Sequence, residues 1–328
     1  MKRLFSLFLV IILMSPFQVV SAQGDLESLA QENAKKYIQP FITSFGMNMN
    51  SGLTHTAKVH GILGFDISIK AMVDVIPDEA KTFDFDVSGL EWSYMDVTIP
   101  GSVLFTDTEL PTVFGTEGTL TADRDNVANY LNDALGTNLT GEDIPSEIDN
   151  VGISLAGLDM TTVPMFRPQL GLGLPLKTEL LLSYIPIPLG DLGDASFRAF
   201  GLKHKLDQYF PLPTPFLNLS LQAVYQSLDL DIIKSTHTNL NIQASADMPF
   251  ITAYALVGLD KSNLEASYTI ESPGSPLDGQ EVGFELEGEN GLRTTFGVTL
   301  KMLLFYLNAD YTLGEHNVLS LGAGITFR

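Results

Sequence analysis

Cysteine is absent from this chain of 328 residues. Disulfides therefore cannot hold the protein together, and cysteine-ligated zinc sites and cysteine nucleophiles are excluded as well. Basic residues are also few: 18 Lys and Arg stand against 39 Asp and Glu, which gives a formal net charge of −21. Such acidity argues against nucleic acid as a partner and against binding to an anionic membrane surface.

Long apolar runs are lacking too. Residues 1–22 have the pattern of a secretory signal peptide, with Lys2 and Arg3 as the basic region, an apolar stretch over 4–14, and a small-residue cleavage site at Val20-Ser21-Ala22. That stretch is too short to cross a bilayer, and no run of about 20 apolar residues follows it. The sequence therefore predicts export through the inner membrane. If an exported chain without such a run is a membrane protein, it must be a β-barrel, because unpaired backbone N–H and C=O groups are too costly in lipid.

What the chain does have is an apolar side chain at every second position, most clearly over 292–328. Strict period two puts one face of a strand in an apolar medium and the other in a polar one. A soluble β-sandwich and an outer-membrane barrel both produce this pattern. Aromatic residues near the strand ends favour the barrel. The alternating positions are Leu292, Thr294, Phe296, Val298, Leu300, Phe305, Leu307, Ala309, Tyr311, Leu313, Leu319, Leu321, Ala323, Ile325 and Phe327.

The same alternation recurs along most of the mature chain. It predicts strands over 65–75 and 81–88 and then, after residue 163, over 169–176, 217–226, 239–246, 263–270 and 281–287. We count about 12 to 14 strands in one meander with turn clusters between them. The predicted fold is all-β: a transmembrane antiparallel up-and-down β-barrel with an N-terminal amphipathic helix. A barrel needs only hairpin connections and leaves no exposed edge, which a sandwich would not achieve.

The N-terminal segment 23–52 departs from period two. Apolar spacing predicts a helix over Asp25–Phe45 that Asp25 caps, that Pro40 kinks or splits, and that Gly46 ends. Such a helix would pack over a barrel mouth or enter the lumen as a plug.

A second segment, 100–162, is polar and rich in Thr and Gly. It predicts a long loop or luminal insert within a barrel spanning 53–328. It contains one helix from about 126 to 135, with Asp123 or Asp125 as its cap and Gly136 as its stop.

Several stretches carry a resemblance to a known family. They are 50–58, 171–185, Gly297-Val298-Thr299-Leu300-Lys301-Met302-Leu303-Leu304-Phe305, Ala309-Asp310-Tyr311-Thr312-Leu313-Gly314-Glu315 and Leu321-Gly322-Ala323-Gly324-Ile325-Thr326-Phe327-Arg328. The chain resembles uncharacterised outer-membrane barrels with a domain of unknown function. More distantly it is similar to the outer-membrane long-chain fatty-acid and hydrocarbon transporters. The resemblance to the transporters implies an N-terminal plug in a barrel of 14 strands and a hydrophobic ligand. The Asn-Pro-Ala motif of their plug is absent here. It also implies an assembly signal at the C-terminus, for which Phe327 is the candidate, followed here by Arg328.

Motifs for catalysis are missing. There is no nucleophile elbow and no phosphate-binding glycine loop. The five His are scattered along the chain, and only His55 and His60 are close in sequence. No catalytic residue, metal site or cofactor is therefore expected, and the protein is not predicted to be an enzyme. A Ser–His pair on the outside of a barrel, as in membrane phospholipases, is an alternative to which no particular residues point.

If the apolar set faces lipid, the polar set faces the lumen. These side chains would either pair within a filled interior or line a channel that favours cations or an uncharged solute. The predicted lumen-facing residues are Asp66, Lys70, Asp74, Asp84, Asp86, Gln222, Gln243, Glu265, Glu281, Glu285, Arg293 and Asp310.

The predicted function is passive or ligand-gated passage of a small hydrophobic solute through a monomeric barrel in the cell outer membrane. Expected partners are outer-membrane lipid, the barrel assembly machinery and a hydrophobic small molecule. One alternative is a structural or surface-interaction barrel without transport. Another is a secreted soluble β-sandwich that binds a ligand.

Overall fold

A computed structural model describes residues 23–150, 152–188, 194–210, 212–230, 233–269 and 281–327. The predicted signal peptide lies outside these residues. Two compact units make up the fold. We call residues 41–76 with 161–327 the barrel unit, and residues 23–40 with 77–160 the insert unit. Within the described part of the chain, no helix is long and apolar enough to cross a membrane.

The described helices are α1 (Gln23–Asn50), α2 (Gly101–Leu104) and α3 (Arg124–Leu135). The strands are β1 (Phe65–Val75), β2 (Thr82–Asp84), β3 (Glu91–Tyr94), β4 (Val97–Pro100), β5 (Glu109–Pro111), β6 (Glu117–Thr121), β7 (Gly152–Ala156), β8 (Thr162–Leu174), β9 (Thr178–Pro188), β10 (Asp194–Lys205), β11 (Leu217–Leu230), β12 (Ile233–Asp247), β13 (Ile251–Thr269), β14 (Glu281–Glu287), β15 (Leu292–Met302), β16 (Phe305–Leu313) and β17 (Asn317–Phe327).

The barrel unit is a closed antiparallel ring of ten strands. After β1 come β8 to β13, β15, β16 and β17, each paired with its neighbour in the chain, and β17 pairs with β1 from Phe65↔Phe327 to Val75↔Asn317. Strand β14 pairs with the same side of β13 as β15 does, so the two behave as one strand interrupted at 288–291. The predicted all-β, up-and-down antiparallel barrel with an N-terminal helix is therefore confirmed, and the β-sandwich is excluded.

The predicted count of 12 to 14 strands is wrong. Individual strands are longer than the stretches of alternating apolar residues within them. Strand β13 alone covers 19 residues, and it includes the run 263–269, which the sequence pattern predicts as a strand of its own. In addition, the predicted strand 81–88 is not part of the barrel. Only Thr82–Asp84 of it is a strand, and it pairs with β5 in the insert unit.

The barrel has two rims. We call the end where β1 begins at Phe65 and β17 ends at Phe327 the terminal rim. Its turns are 61–64, 175–177, 206–210 with 212–216, 248–250 and 303–304. The opposite end, where β1 ends at Val75, is the insert rim, because the chain continues from there into residues 77–160.

The insert unit has an apolar core of its own. Helix α3 crosses that core with Val127 and Leu131 buried. As predicted, Asp123 caps it by accepting a bond from Asn126 N, and Gly136 ends it with a φ of +66°. The sequence predicts an insert over 100–162, but the unit also includes residues 77–99, whose core residues are Phe85, Val87, Leu90 and Ile99.

Polar contacts on the surface of the insert unit tie its acidic loop to α3. Arg124 Nε donates to Asp149 Oδ1 at 2.7 Å, and Arg124 Nη2 pairs with Asp149 Oδ2. This hydrogen bond holds the pKa of the Asp149 carboxyl below its ordinary value. The acidic loop is therefore joined to the first turn of α3.

Helix α1 does not end at Gly46 as predicted, but continues through Pro40 to Asn50. Gly46 is instead a point of close approach to the barrel wall. A Cβ added there would overlap Ser262 Oγ and Asn290 Oδ1. The glycine is thus needed for packing inside the barrel unit and not for a helix stop.

The substitution Gly46→Val should push α1 away from the wall. We expect a loss of about 2 kcal/mol in the stability of this packing, because inserting methyl groups into a filled interior forces neighbours to move. Amide hydrogen exchange of residues 46–57 would measure it. Gly291→Val is the matched control, because a Cβ at Gly291 meets nothing within 4 Å. Equal exchange in the two variants would contradict the packing role of Gly46.

Candidate functional site

The two faces of the barrel wall differ in polarity. On β1, Asp66, Lys70 and Asp74 are buried inside the ring, while Ile67 and Ile69 are exposed on its outer face. The same division continues around the barrel, with buried Ser, Thr, Asn and Gln side chains inside and exposed aliphatic and aromatic ones outside. Strand period two produces both faces from one sequence pattern.

The lumen is filled by the chain itself. We call residues 41–60 the plug; they comprise the end of α1 and the extended segment after it. Every residue from 46 to 57 is buried. At one end of the plug, Thr43 O accepts a bond from Asn290 Nδ2 at 3.0 Å. At the other end, His60 Nε2 lies 2.9 Å from Thr326 Oγ1 at the terminal rim.

The middle of the plug is held by a buried arginine. Arg167 on β8 donates from Nη1 to Met49 O at 2.6 Å and from Nη2 to Ser51 O at 2.7 Å. Gln226 Nε2 on β11 also donates to Met49 O, at 2.8 Å. The last carbonyls of a helix lack partners within the helix and carry the negative end of its dipole. Because α1 has no basic residue in its last turn, the barrel wall supplies the cation.

A second anchor lies near the terminal rim. Glu179 Oε2 on β9 accepts from His60 N at 3.1 Å and lies 2.6 Å from His60 Nδ1. Lys203 Nζ on β10 pairs with the other oxygen of Glu179 at 2.7 Å. One carboxylate therefore contacts two groups of the plug and one ammonium group of the wall, and all of these side chains are buried.

A third anchor is formed by Asp247 at the end of β12. Its carboxylate accepts from Thr56 Oγ1 at 3.0 Å and pairs with Lys301 Nζ at 2.8 Å. Thr56 Oγ1 also lies 3.2 Å from Ser245 Oγ. The plug is therefore bonded to strands on several sides of the lumen and not to one wall alone.

Between these anchors the lumen holds a polar network of the wall. Lys70 Nζ donates to Asn308 Oδ1 at 2.8 Å, and Tyr254 Oη donates to Asp310 Oδ2 at 2.8 Å. Among the described residues, several buried oxygens have no protein partner, including Gln243 Oε1 and Asp310 Oδ1. Buried polar atoms of this kind are places where water or a polar solute can bind.

Seven predicted lumen residues are buried on the inner side of the barrel wall. They are Asp66, Lys70, Asp74, Gln222, Gln243, Arg293 and Asp310. Glu281 begins β14. Asp84 and Asp86 are in the insert unit, so their assignment to a lumen is corrected.

Glu265 and Glu285 are exposed, which corrects their assignment as well. On this part of β13 the inner position is taken by Leu264, which is 3% exposed and pairs in register with Leu286. The prediction assumed that apolar residues always point outward. Near the insert rim that rule fails, because the outer face there carries charges and the inner face packs apolar side chains.

The sequence analysis missed the residues that hold the plug, namely Arg167, Glu179, Lys203 and Asp247. The sequence does contain a pattern that could have identified Arg167 as an inward-facing residue. On β8, exposed Phe166 and Leu170 alternate with buried Arg167 and Gln169. In the described part of the chain, no group of three or more His, Asp or Glu side chains could hold a metal ion.

No curated protein matches the sequence. Among solved structures, the N-terminal β-barrel domain of OprF from Pseudomonas aeruginosa has a TM-score of 0.23 and 14% identity, covering 46% of this chain and 95% of that chain. OmpT without loop L8, an outer membrane protein of Vibrio cholerae, has a TM-score of 0.25 and 13% identity, covering 81% and 100%. The FrpB iron transporter from Neisseria meningitidis has a TM-score of 0.21 and 8% identity, covering 51% and 40%.

The OprF domain is a β-barrel, and OmpT is an outer membrane protein. The more distant similarity of this chain to fatty-acid transporters stays a prediction. A family profile matches residues 1–327, which is nearly the whole sequence. The chain belongs to this family, which is described as a family of unknown function (DUF6588).

Proposed function

We propose that the protein is an outer-membrane β-barrel whose own N-terminal segment closes it to solutes at rest. The observation that carries this proposal is the uninterrupted burial of residues 46–57 within the barrel unit. An open passive pore would need a lumen that water can cross, and the plug occupies that space. The predicted signal peptide fits export through the inner membrane.

The membrane location is supported by the outer face of the barrel. Its exposed apolar side chains form a belt that we define by Ile67, Ile69, Phe166, Phe200, Tyr225, Leu240, Val257, Phe296, Val298, Leu307, Leu319 and Leu321. Strand β1 has 11 residues. At about 3.3 Å per residue and a tilt of about 40°, it would rise about 28 Å, close to the thickness of the hydrocarbon core.

A closed barrel can still serve as a membrane anchor. The insert unit has its own core and capped helix, and the chain enters and leaves it through the first two strands of the barrel. These features support a surface-interaction role in which the barrel holds the insert unit at the membrane. This role corresponds to the alternative without transport.

Gated passage is the second candidate, and the polar lumen favours it. The lining groups include carboxylates, ammonium and guanidinium groups, amides and hydroxyls. Such a wall suits a polar solute better than the hydrophobic one expected from sequence, since an apolar solute would leave those groups without partners. Passage by this route requires the plug to move.

Gel migration and conductance together test the proposal. Mature protein folded into detergent micelles should migrate differently when unboiled, as a closed barrel does, and should fractionate with the outer membrane. In planar bilayers it should show no conductance steps above leak. Stable steps from untreated protein would refute closure by the plug, and an unshifted, freely soluble protein would refute the membrane barrel.

A further inference from the structure

The turns of the terminal rim are apolar, although turns usually carry Gly, Asn, Asp or Ser. Leu303 is 100% exposed, Leu176 83% and Leu63 76%. All five turns of this rim contribute such side chains: Ile62, Leu63, Leu176, Tyr209, Phe210, Phe216, Met248, Phe250, Leu303 and Leu304. An apolar patch of this extent does not normally face water.

Three of these leucines also have unfavourable backbone conformations. Leu63, Leu176 and Leu303 have φ values of +63°, +60° and +58°. The left-handed region brings Cβ close to the following carbonyl, so glycine or asparagine is the usual residue there. A leucine at such a position strains the turn and exposes an apolar side chain. Neither effect helps the barrel fold in water, so a contact outside the chain must favour leucine.

The insert rim shows the opposite chemistry. There the outer face of β13 and β14 carries Lys261, Glu265, Glu285 and Glu287, all exposed. Lys261 Nζ pairs with Glu287 Oε1 at 2.8 Å. The two rims of one barrel are therefore suited to different media.

We propose that the terminal rim is a lipid-binding surface whose turns insert at the boundary between headgroups and acyl chains of one leaflet, with Leu63, Leu176 and Leu303 as anchors. The proposal rests on the membrane location given above. It places this rim inside the leaflet, whereas the insert rim emerges into water.

Two observations favour lipid over a protein partner. The apolar turns occur all around the rim and not on one side of it. They also continue the outer belt at one of the turns: Leu303 and Leu304 lead into Phe305, and the rings of Phe65 and Phe327 stack at 6.0 Å beside them. Exposed Lys177 follows Leu176, and its long side chain can reach a headgroup phosphate.

Tryptophan fluorescence can locate this rim. The chain has one tryptophan, Trp92, in the insert unit. In a Trp92→Phe background, Leu303→Trp is folded into phosphatidylcholine vesicles that contain lipids brominated near the headgroup end of their chains. We expect blue-shifted emission that the bromine quenches strongly. Lys261→Trp at the insert rim is the matched control and should be neither shifted nor quenched.

Leu321→Trp, in the middle of the belt, separates the two proposals when it is measured in vesicles whose lipids are brominated near the ends of their chains. Quenched emission from Leu321→Trp together with unquenched emission from Leu303→Trp would overturn the lipid-binding rim and leave the membrane barrel standing. Unquenched emission from both would overturn the membrane barrel itself. Leu176→Trp repeats the measurement on a second turn, so that the result does not depend on whether Leu303→Trp disturbs the turn at 303–304.

A combined Leu63→Asn, Leu176→Asn and Leu303→Asn variant tests the anchors without a probe. Asparagine tolerates the left-handed conformation, so the turns should form as well as before or better. We expect folding into detergent micelles to be unchanged, and the yield folded into vesicles to fall about tenfold, because the apolar contacts with lipid are lost. Equal folding of variant and natural chain into vesicles would show that the leucines serve no membrane contact.

Discussion

Displacing the plug from the lumen is expected to turn a non-conducting barrel into a conducting one. The plug is held by a limited set of hydrogen bonds and by small apolar contacts such as those of Met47 and Met49. The ring, in contrast, is closed by antiparallel ladders on both sides of each strand. Urea should therefore release the plug before it opens the barrel. We expect conductance steps at urea concentrations that still preserve the shifted band of unboiled protein.

A disulfide lock makes this test specific, because the natural chain has no cysteine. Thr56 Oγ1 in the plug lies 3.2 Å from Ser245 Oγ in the wall, so cysteines at these positions place their sulfur atoms within bonding reach. The oxidised Thr56→Cys, Ser245→Cys variant should show no conductance steps in urea, and reduction of the disulfide should restore them. Each single variant is a control that oxidant should not affect. Equal conductance before and after reduction would mean that the plug is not the gate.

The barrel was predictable because period two is a direct consequence of a strand that lies between two media. Residues 65–75 and 292–327 show it almost without exception. Strand number was not predictable, because the ends of β11, β12 and β13 extend past the alternating cores. Where a strand extends beyond the apolar belt, its outer face carries charged side chains. Glu265 lies in such a part of β13, which is why it was wrongly assigned to the lumen.

The position of the plug was less accessible from sequence. Amphipathic spacing identifies a helix that has one apolar side and one solvated side. The last turns of α1 are buried on all sides in a mainly polar interior, so Thr43, Ser44, Asn48 and Asn50 are as buried as Ile42. A pattern that equates polar with exposed cannot recognise such a segment. Gly46 was interpreted as a helix stop for the same reason.

The wall residues that hold the plug depend on pairs far apart in the chain. Arg167 meets Met49 across 118 positions, and Glu179 meets His60 across 119. Local spacing can assign each side chain to a face, but it gives no information on which partner is opposite. The polar face was therefore predictable, whereas the contacts that stabilise the plug required the fold.

Replacing Arg167 should loosen the plug more than any other change of one wall residue. The fully buried guanidinium satisfies two carbonyls just where α1 ends, and hydrogen bonds from a charged donor contribute about 1.5 to 3 kcal/mol each. Arg167→Met removes both bonds and leaves two buried carbonyls poorly satisfied. We expect the plug to lose about 3 kcal/mol of docking free energy, so amide exchange over residues 46–57 should be about 100-fold faster.

Two further variants distinguish helix capping from a general loss of luminal charge. Arg167→Lys keeps the charge but can no longer donate to both carbonyls in a fixed fork, so its exchange should accelerate about tenfold. Lys70→Met removes an equally buried cation whose ammonium donates to Asn308 of the wall, and it should leave exchange of the plug nearly unchanged. If Lys70→Met and Arg167→Met accelerate exchange equally, the plug is held by the charge balance of the lumen. If only the Arg167 variants do so, the barrel wall acts as the missing C-cap of the helix it encloses.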